Sequence, residues 1–131
     1  MRKMFIIFTV FSLVLNSCDK GKSPEGPTDI RIKNITDQVF QTLSVDTSGG
    51  SFDYEGTVAA GGISEYKRFE KAYPRAEVTV TINGEAYTTG TQNYNYQVVL
   101  GQGKFTNEVY IENPTLRKLA IARVIPEAPL D

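Results

Sequence analysis

The chain has 131 residues, 40% hydrophobic and 11% aromatic, with 14 Lys+Arg against 15 Asp+Glu, a single Cys and no His. That length suits one domain with its own core rather than two. The missing histidine excludes His-based triads, His–Cys pairs and the usual His/Cys zinc sites, and the balanced charge lacks the clustered basic excess that a nucleic-acid partner requires.

Arg2 and Lys3 start the chain, and Met4 to Leu15 (MFIIFTVFSLVL) is then almost wholly apolar, interrupted only by Thr9 and Ser12. These twelve residues suit a signal-peptide core and fall short of the ~20 needed for a bilayer-spanning helix. Leu15-Asn16-Ser17-Cys18 follows. It resembles the lipobox of bacterial lipoproteins, although Asn16 is less usual at its position. The resemblance implies cleavage after Ser17, a diacylglyceryl thioether on Cys18, acylation (palmitate included) of the new amino terminus, and membrane anchorage in the cell envelope. One acyl chain, at about 0.8 kcal/mol per buried methylene, holds only marginally, whereas two or three make a lasting anchor. An ordinary secretory signal with Cys18 incidental is the alternative. As the single cysteine, Cys18 cannot form an intramolecular disulfide.

Removing residues 1–17 leaves 114 residues and takes away Arg2 and Lys3 but no acid, so 12 cations face 15 acids, a side-chain net charge of −3. That balance suits a domain held off an anionic membrane surface. Asp19 to Thr28 (DKGKSPEGPT) has two Gly, two Pro, four charges and no apolar side chain, which predicts a flexible tether over residues 18–29 and a folded domain over 30–131. Asp19 directly after the cysteine resembles an inner-membrane retention signal of enterobacteria. Bacteroidota sort lipoproteins by other acidic patterns, and the outer membrane is the expected location.

From Ile30 the texture becomes short alternating runs. Ile30 and Ile32 alternate with Arg31 and Lys33, as in a half-buried strand. Val39, Leu43 and Val45 continue that parity in a second run, with Phe40 on the other face. A turn cluster at Thr47-Ser48-Gly49-Gly50 follows. Phe52 and Tyr54 open a third run ending near Val58, broken by Ala60-Gly61-Gly62. Ile63 to Tyr73 (ISEYKRFEKAY) fits either a helical stripe or a charged edge strand. The strand is preferred, since charged edges deter unwanted pairing.

Val78, Val80 and Ile82 alternate with Thr79 and Thr81 before Asn83-Gly84, a pair that tolerates the positive φ angles of a type I′ hairpin turn into Glu85 to Thr88. Tyr94, Tyr96, Val98 and Leu100 predict another strand. Gly101-Gln102-Gly103 turns the chain into Phe105, Val109 and Ile111 on one face. Asn113-Pro114 opens either a helix or a loop before a last strand at Lys118 to Ile125, where β-branched Ile121, Val124 and Ile125 favour the strand. Pro126 and Pro129 are expected to end it.

Seven or eight closely spaced strands with turn chemistry between them predict an all-β fold, an antiparallel β-sandwich of immunoglobulin-like or related type. Gly61 to Ala86 (GGISEYKRFEKAYPRAEVTVTINGEA) also resembles the middle of small Ig-like envelope lipoproteins of Bacteroidota, in its Gly, its Ser-x-Tyr strand and the hydrophobic strand ending in Asn-Gly. That resemblance supports fold and address but implies no activity.

No GxGxxG, P-loop or GxSxG motif occurs, and Gly101-Gln102-Gly103 reads as a hairpin turn. Carboxylate pairs Asp53/Glu55 and Glu65/Glu70, and the calcium-type set Asp46, Asp53 and Glu55, are more simply solvated surface. No catalytic residue, metal or cofactor is expected. The candidate binding edge is Tyr66, Lys67, Arg68, Phe69, Lys71, Tyr73 and Arg75, where aromatics mixed with cations suit an acidic glycan, a peptide strand or a partner protein. The alternative is that Tyr66 or Phe69 fills the core while the cations keep an edge soluble. The expected function is a membrane-anchored, non-catalytic interaction or accessory module with an envelope protein partner. A glycan- or small-ligand-binding lipoprotein using the 64–75 edge is the second reading.

Overall fold

Strict alternation builds the centre of the molecule. In a computed structural model that describes residues 26–130, the Val78–Ile82 run forms β5 (Glu77–Ile82), with Val78, Val80 and Ile82 buried and the threonines between them half-buried. Asn83 and Gly84 both take positive φ, 50° and 80°, and turn the chain into β6 (Glu85–Thr88). The expected type I′ chemistry is borne out. The predicted leader, Cys18 and the tether up to Glu25 lie outside the described residues.

The other strands are β1 (Thr28–Asn34), β2 (Thr42–Asp46), β3 (Ser51–Tyr54), β4 (Lys67–Phe69), β7 (Gly103–Asn113) and β8 (Lys118–Ala128). Among the described residues they join with β5 and β6 in one eight-stranded sheet of order β3-β2-β5-β6-β8-β7-β1-β4. β1 begins two residues before the expected boundary at Ile30, and Thr28 is already buried, its hydroxyl donating to the Gly101 carbonyl at 2.6 Å.

The sheet curls until its two edges meet. Phe52 of β3 packs edge-to-face on Phe69 of β4, centroids 4.9 Å apart and planes at 83°. The Tyr54 hydroxyl on β3 donates to the Ile30 carbonyl of β1 at 2.6 Å. The result is a nearly closed barrel. Ile30, Ile32, Phe40, Leu43, Val45, Phe69, Val78, Val80, Val109 and Leu119 fill the interior, each contributing about 1.5–3 kcal/mol by leaving water.

Pairing departs from the all-antiparallel expectation at two places. β1 runs parallel to β7 along its whole length, and β6 meets β8 in parallel only at Thr88–Lys118. A parallel partner comes from a distant part of the chain, so the local pattern of β1 carries no trace of it.

Four further expectations are corrected. Val39 is 46% exposed while Phe40 is wholly buried and bridges Val58. A bend at Gln41, whose amide donates to the Thr81 carbonyl at 2.7 Å, shifts the parity before β2 begins. The Ile63–Tyr73 run is an edge strand as expected, but only over Lys67–Phe69. Before it, the Ser64 hydroxyl accepts the Ile32 amide at 2.9 Å in place of a ladder bond.

Tyr94–Leu100 forms no strand. Tyr94–Tyr96 is a 3-10 turn, capped by the Asn93 side chain accepting the Asn95 amide and closed by the Gln97 amide donating to the Tyr94 carbonyl. The tail is the preferred strand rather than a helix, but it runs through Pro126 to Ala128. There β8 pairs only with β7, so the proline sits on an open edge where its missing N–H costs nothing.

Candidate functional site

The outer face of β4, β1, β7 and β8 is a ladder of paired charges. Arg68 reaches across to Asp29 through two bonds of 2.8 and 3.1 Å. Arg31 donates to the Thr106 hydroxyl at 2.9 Å and to Glu127 at 2.8 Å. Glu108 receives Arg123 at 2.7 and 3.0 Å, with Lys33 at 3.9 Å. The Arg123 hydrogen bonds hold the Glu108 carboxyl below its ordinary 4.5, against the opposing push of burial, and the Arg123 and Lys33 charges act in the same sense.

The seven residues of the predicted edge do not form one face. Phe69 is core. Arg68 is committed to Asp29, and Lys67 lies 4.0 Å from Glu65. Tyr66 presents its ring to two cations, the Arg31 guanidinium at 4.7 Å and the Lys104 ammonium at 5.3 Å from the centroid. Lys71, Tyr73 and Arg75 belong to a second region. There the Lys71 ammonium stands 5.8 Å from the Tyr73 ring, which stacks on Tyr94 at 5.0 Å.

That second region joins a segment whose role the sequence did not signal, the loop from Thr89 to Leu100. The Gln97 side chain holds both backbone groups of Arg75, accepting its N–H at 2.8 Å and donating to its carbonyl at 3.1 Å. The Tyr94 hydroxyl donates to the Asp46 carbonyl at 2.9 Å. Burial, with the charge of Asp46, raises its pKa. Gln92 caps the Thr89 and Gly90 carbonyls, and the Leu100 amide donates to Ala72. On this braced loop Tyr96 is 89% and Val98 82% exposed. Alternation made both look like strand residues; only the density of Gln, Asn and Tyr over QNYNYQ could have marked a loop held by its own side chains.

Beside the loop lies a groove of about 320 Å³, with Arg75, Ala76 and Gln92 on one wall and Leu119, Ala120 and Ile121 on the other. It exists because β6 and β8 part after their single contact at Thr88–Lys118. Lys118 and Glu112, 3.6 Å apart, stand at its rim.

Among the described residues no group of three or more His, Cys, Asp or Glu is placed to hold a metal, so Asp46, Asp53 and Glu55 do not converge. Asp46 instead accepts the Ser48 amide, and Glu65 accepts the Glu55 amide. No helix among those residues is long and apolar enough to cross a membrane.

The class so defined is a small all-β domain of eight strands in a nearly closed mixed sheet, consistent in outline with the expected β-sandwich. Neither a protein-family model nor a curated protein matches the chain. Among solved structures it is similar to the NMR structure of a protein from Eubacterium rectale, with a TM-score of 0.53 and 16% identity over 79% of this chain and 95% of that one. At that identity the likeness concerns the fold alone.

Proposed function

We propose that the chain is a bacterial envelope lipoprotein, anchored through lipid on Cys18 at the outer membrane, whose immunoglobulin-like domain is a non-catalytic interaction or accessory module for an envelope protein. The observation that carries this reading is the leader: Arg2-Lys3, the apolar run Met4–Leu15 and Leu15-Asn16-Ser17-Cys18 fall together in the order that lipidation requires. The nine residues from Asp19 to Pro27 reach at most about 30 Å. Anchoring on so short a lead concentrates the domain near membrane partners without new contact energy. The braced loop with exposed Tyr96 and Val98 supports binding as the task.

A second reading, an acidic-glycan binder using the 64–75 edge, is favoured by Tyr66 with Arg31 and Lys104 beside its ring. A saturable rise in melting temperature with polysaccharide would select it. The anchor is tested by expressing wild type and Cys18→Ala in a bacterial host and comparing membrane fractionation and intact mass. Wild type should sediment with membranes, having lost residues 1–17 and gained lipid, while the variant keeps its leader and gains no lipid. Wild type without added lipid mass, or a Cys18→Ala variant cut after Ser17 as wild type is, defeats the anchor. In-cell crosslinking that captures no envelope protein defeats the module.

A further inference from the structure

We infer that the groove beside β8 docks a short extended segment of the partner polypeptide, one carrying an apolar side chain next to a carboxylate. The inference rests on the interaction-module reading and gives it a site. The groove walls carry apolar surface at Ala76 and Leu119, both members of the core, and at Ala120 and Ile121, beside polar Arg75, Thr89, Gln92, Glu112 and Lys118. Its volume of about 320 Å³ lies at the small end of ligand pockets, about 300–1,000 Å³. It therefore takes a side chain and its neighbours rather than a folded surface.

Charge selects the acid. Arg31, Lys33, Lys67, Arg68, Arg117, Lys118 and Arg123 all form ion pairs, whereas Lys71 and Arg75 form none among the described residues. Lys118 at the rim is balanced by Glu112. Arg75, on the groove wall, is an uncompensated cation in a chain with acidic excess, and a carboxylate on the partner complements it. The adjoining loop adds a rigid aromatic. With Gln97 fixed to Arg75 and Tyr94 fixed to Tyr73 and Asp46, Tyr96 stands exposed on a backbone already ordered, so little entropy is lost on contact.

The strand edge sets the length. β8 touches β6 at Lys118, and its pairing with β7 skips Ala122 between Ile121 and Arg123, so the strand is bulged there. Pro126 interrupts it further along. Bulges and prolines keep long strands off an edge, which leaves Leu119–Ile121 as the open stretch. A short segment fits it, and the full strand of a second copy does not.

The test uses the full chain in mild detergent with labelled, capped nonapeptides that alternate apolar residues with Glu or Asp. Counterparts carry Lys at the acidic positions, and polygalacturonate and laminarin are run in parallel. Arg75→Glu and Tyr96→Ala alter exposed side chains, and unchanged melting temperatures verify their folding. Acidic peptides should bind saturably, at least tenfold tighter than the Lys series, and each variant should weaken them at least tenfold. Equal binding of the two series, binding insensitive to Arg75→Glu, or saturation by polygalacturonate without peptide binding overturns the inference. A peptide null alongside in-cell capture of an envelope protein defeats this site alone, and a null in both defeats the module as well.

Discussion

Tyr54 closes the barrel, and its hydroxyl gives that closure a pH signature. The hydroxyl donates to the Ile30 carbonyl inside the seam, and burial, aided by the charges of Glu65 and Asp29, pushes its pKa far above the ordinary 10.0. Tyr54→Phe removes the donor and leaves a buried acceptor short of a partner, a loss of about 1–2 kcal/mol at neutral pH. A raised pKa means that only the unfolded chain ionises as pH climbs past the ordinary value. The stability contributed by the neutral phenol is therefore complete below that value and lost above it. The loss is about 0.4 kcal/mol at pH 10 and about 1.4 kcal/mol at pH 11. Wild type bears that loss and the phenylalanine variant does not, so the gap between them should close near pH 11. Tyr94 titrates in both and cancels. Urea midpoints for the two proteins from about pH 8 to about pH 11 measure the gap directly. A gap that stays constant over this range would refute the seam hydrogen bond as described.

Phe69→Ala should cost about 3–5 kcal/mol in urea denaturation, because the ring is wholly buried against Phe52; a loss below 1 kcal/mol would return Phe69 to the ligand-facing edge. Asn107 is wholly buried and neither amide atom has a hydrogen-bond partner among the described residues, so Asn107→Leu should raise stability by about 1–3 kcal/mol. A lowered urea midpoint would show that the amide is satisfied. Because Arg123 lowers the Glu108 pKa, this pair stabilises the fold above the ordinary carboxylate range, and that contribution disappears as pH falls through the lowered value. Arg123→Gln should accordingly flatten the fall in melting temperature between neutral pH and pH 3, and an unchanged acid profile would count against the pair. A side chain at Gly49 would run into the Lys71 carbonyl, with the Lys71 amide nitrogen only 2.9 Å away; Gly49→Ala should cost about 1–3 kcal/mol by thermal melting, and a neutral result would mean the Thr47–Gly50 turn shifts freely.

What the residues determine by themselves is whatever depends on near neighbours. β5 and its Asn83-Gly84 turn, the Ile30/Ile32 face of β1 and the strand character of the tail follow from period two, β-branching and turn φ angles, which are properties of a few adjacent residues. The exclusion of histidine chemistry and the lipobox resemblance are equally local. Tertiary structure decided wherever two parities compete or a distant group supplies a hydrogen bond. Phe40 rather than Val39 turns inward because the bend at Gln41 is held by the Thr81 carbonyl, forty residues away. Tyr94 leaves its strand pattern because Tyr73 and the Asp46 carbonyl offer it a better place. The aromatic and basic edge reads as one run along the chain, yet its members are divided among core, ion pairs and groove. Burial is set by how strands curl and meet, and β1 meets β7 only after some seventy residues have intervened.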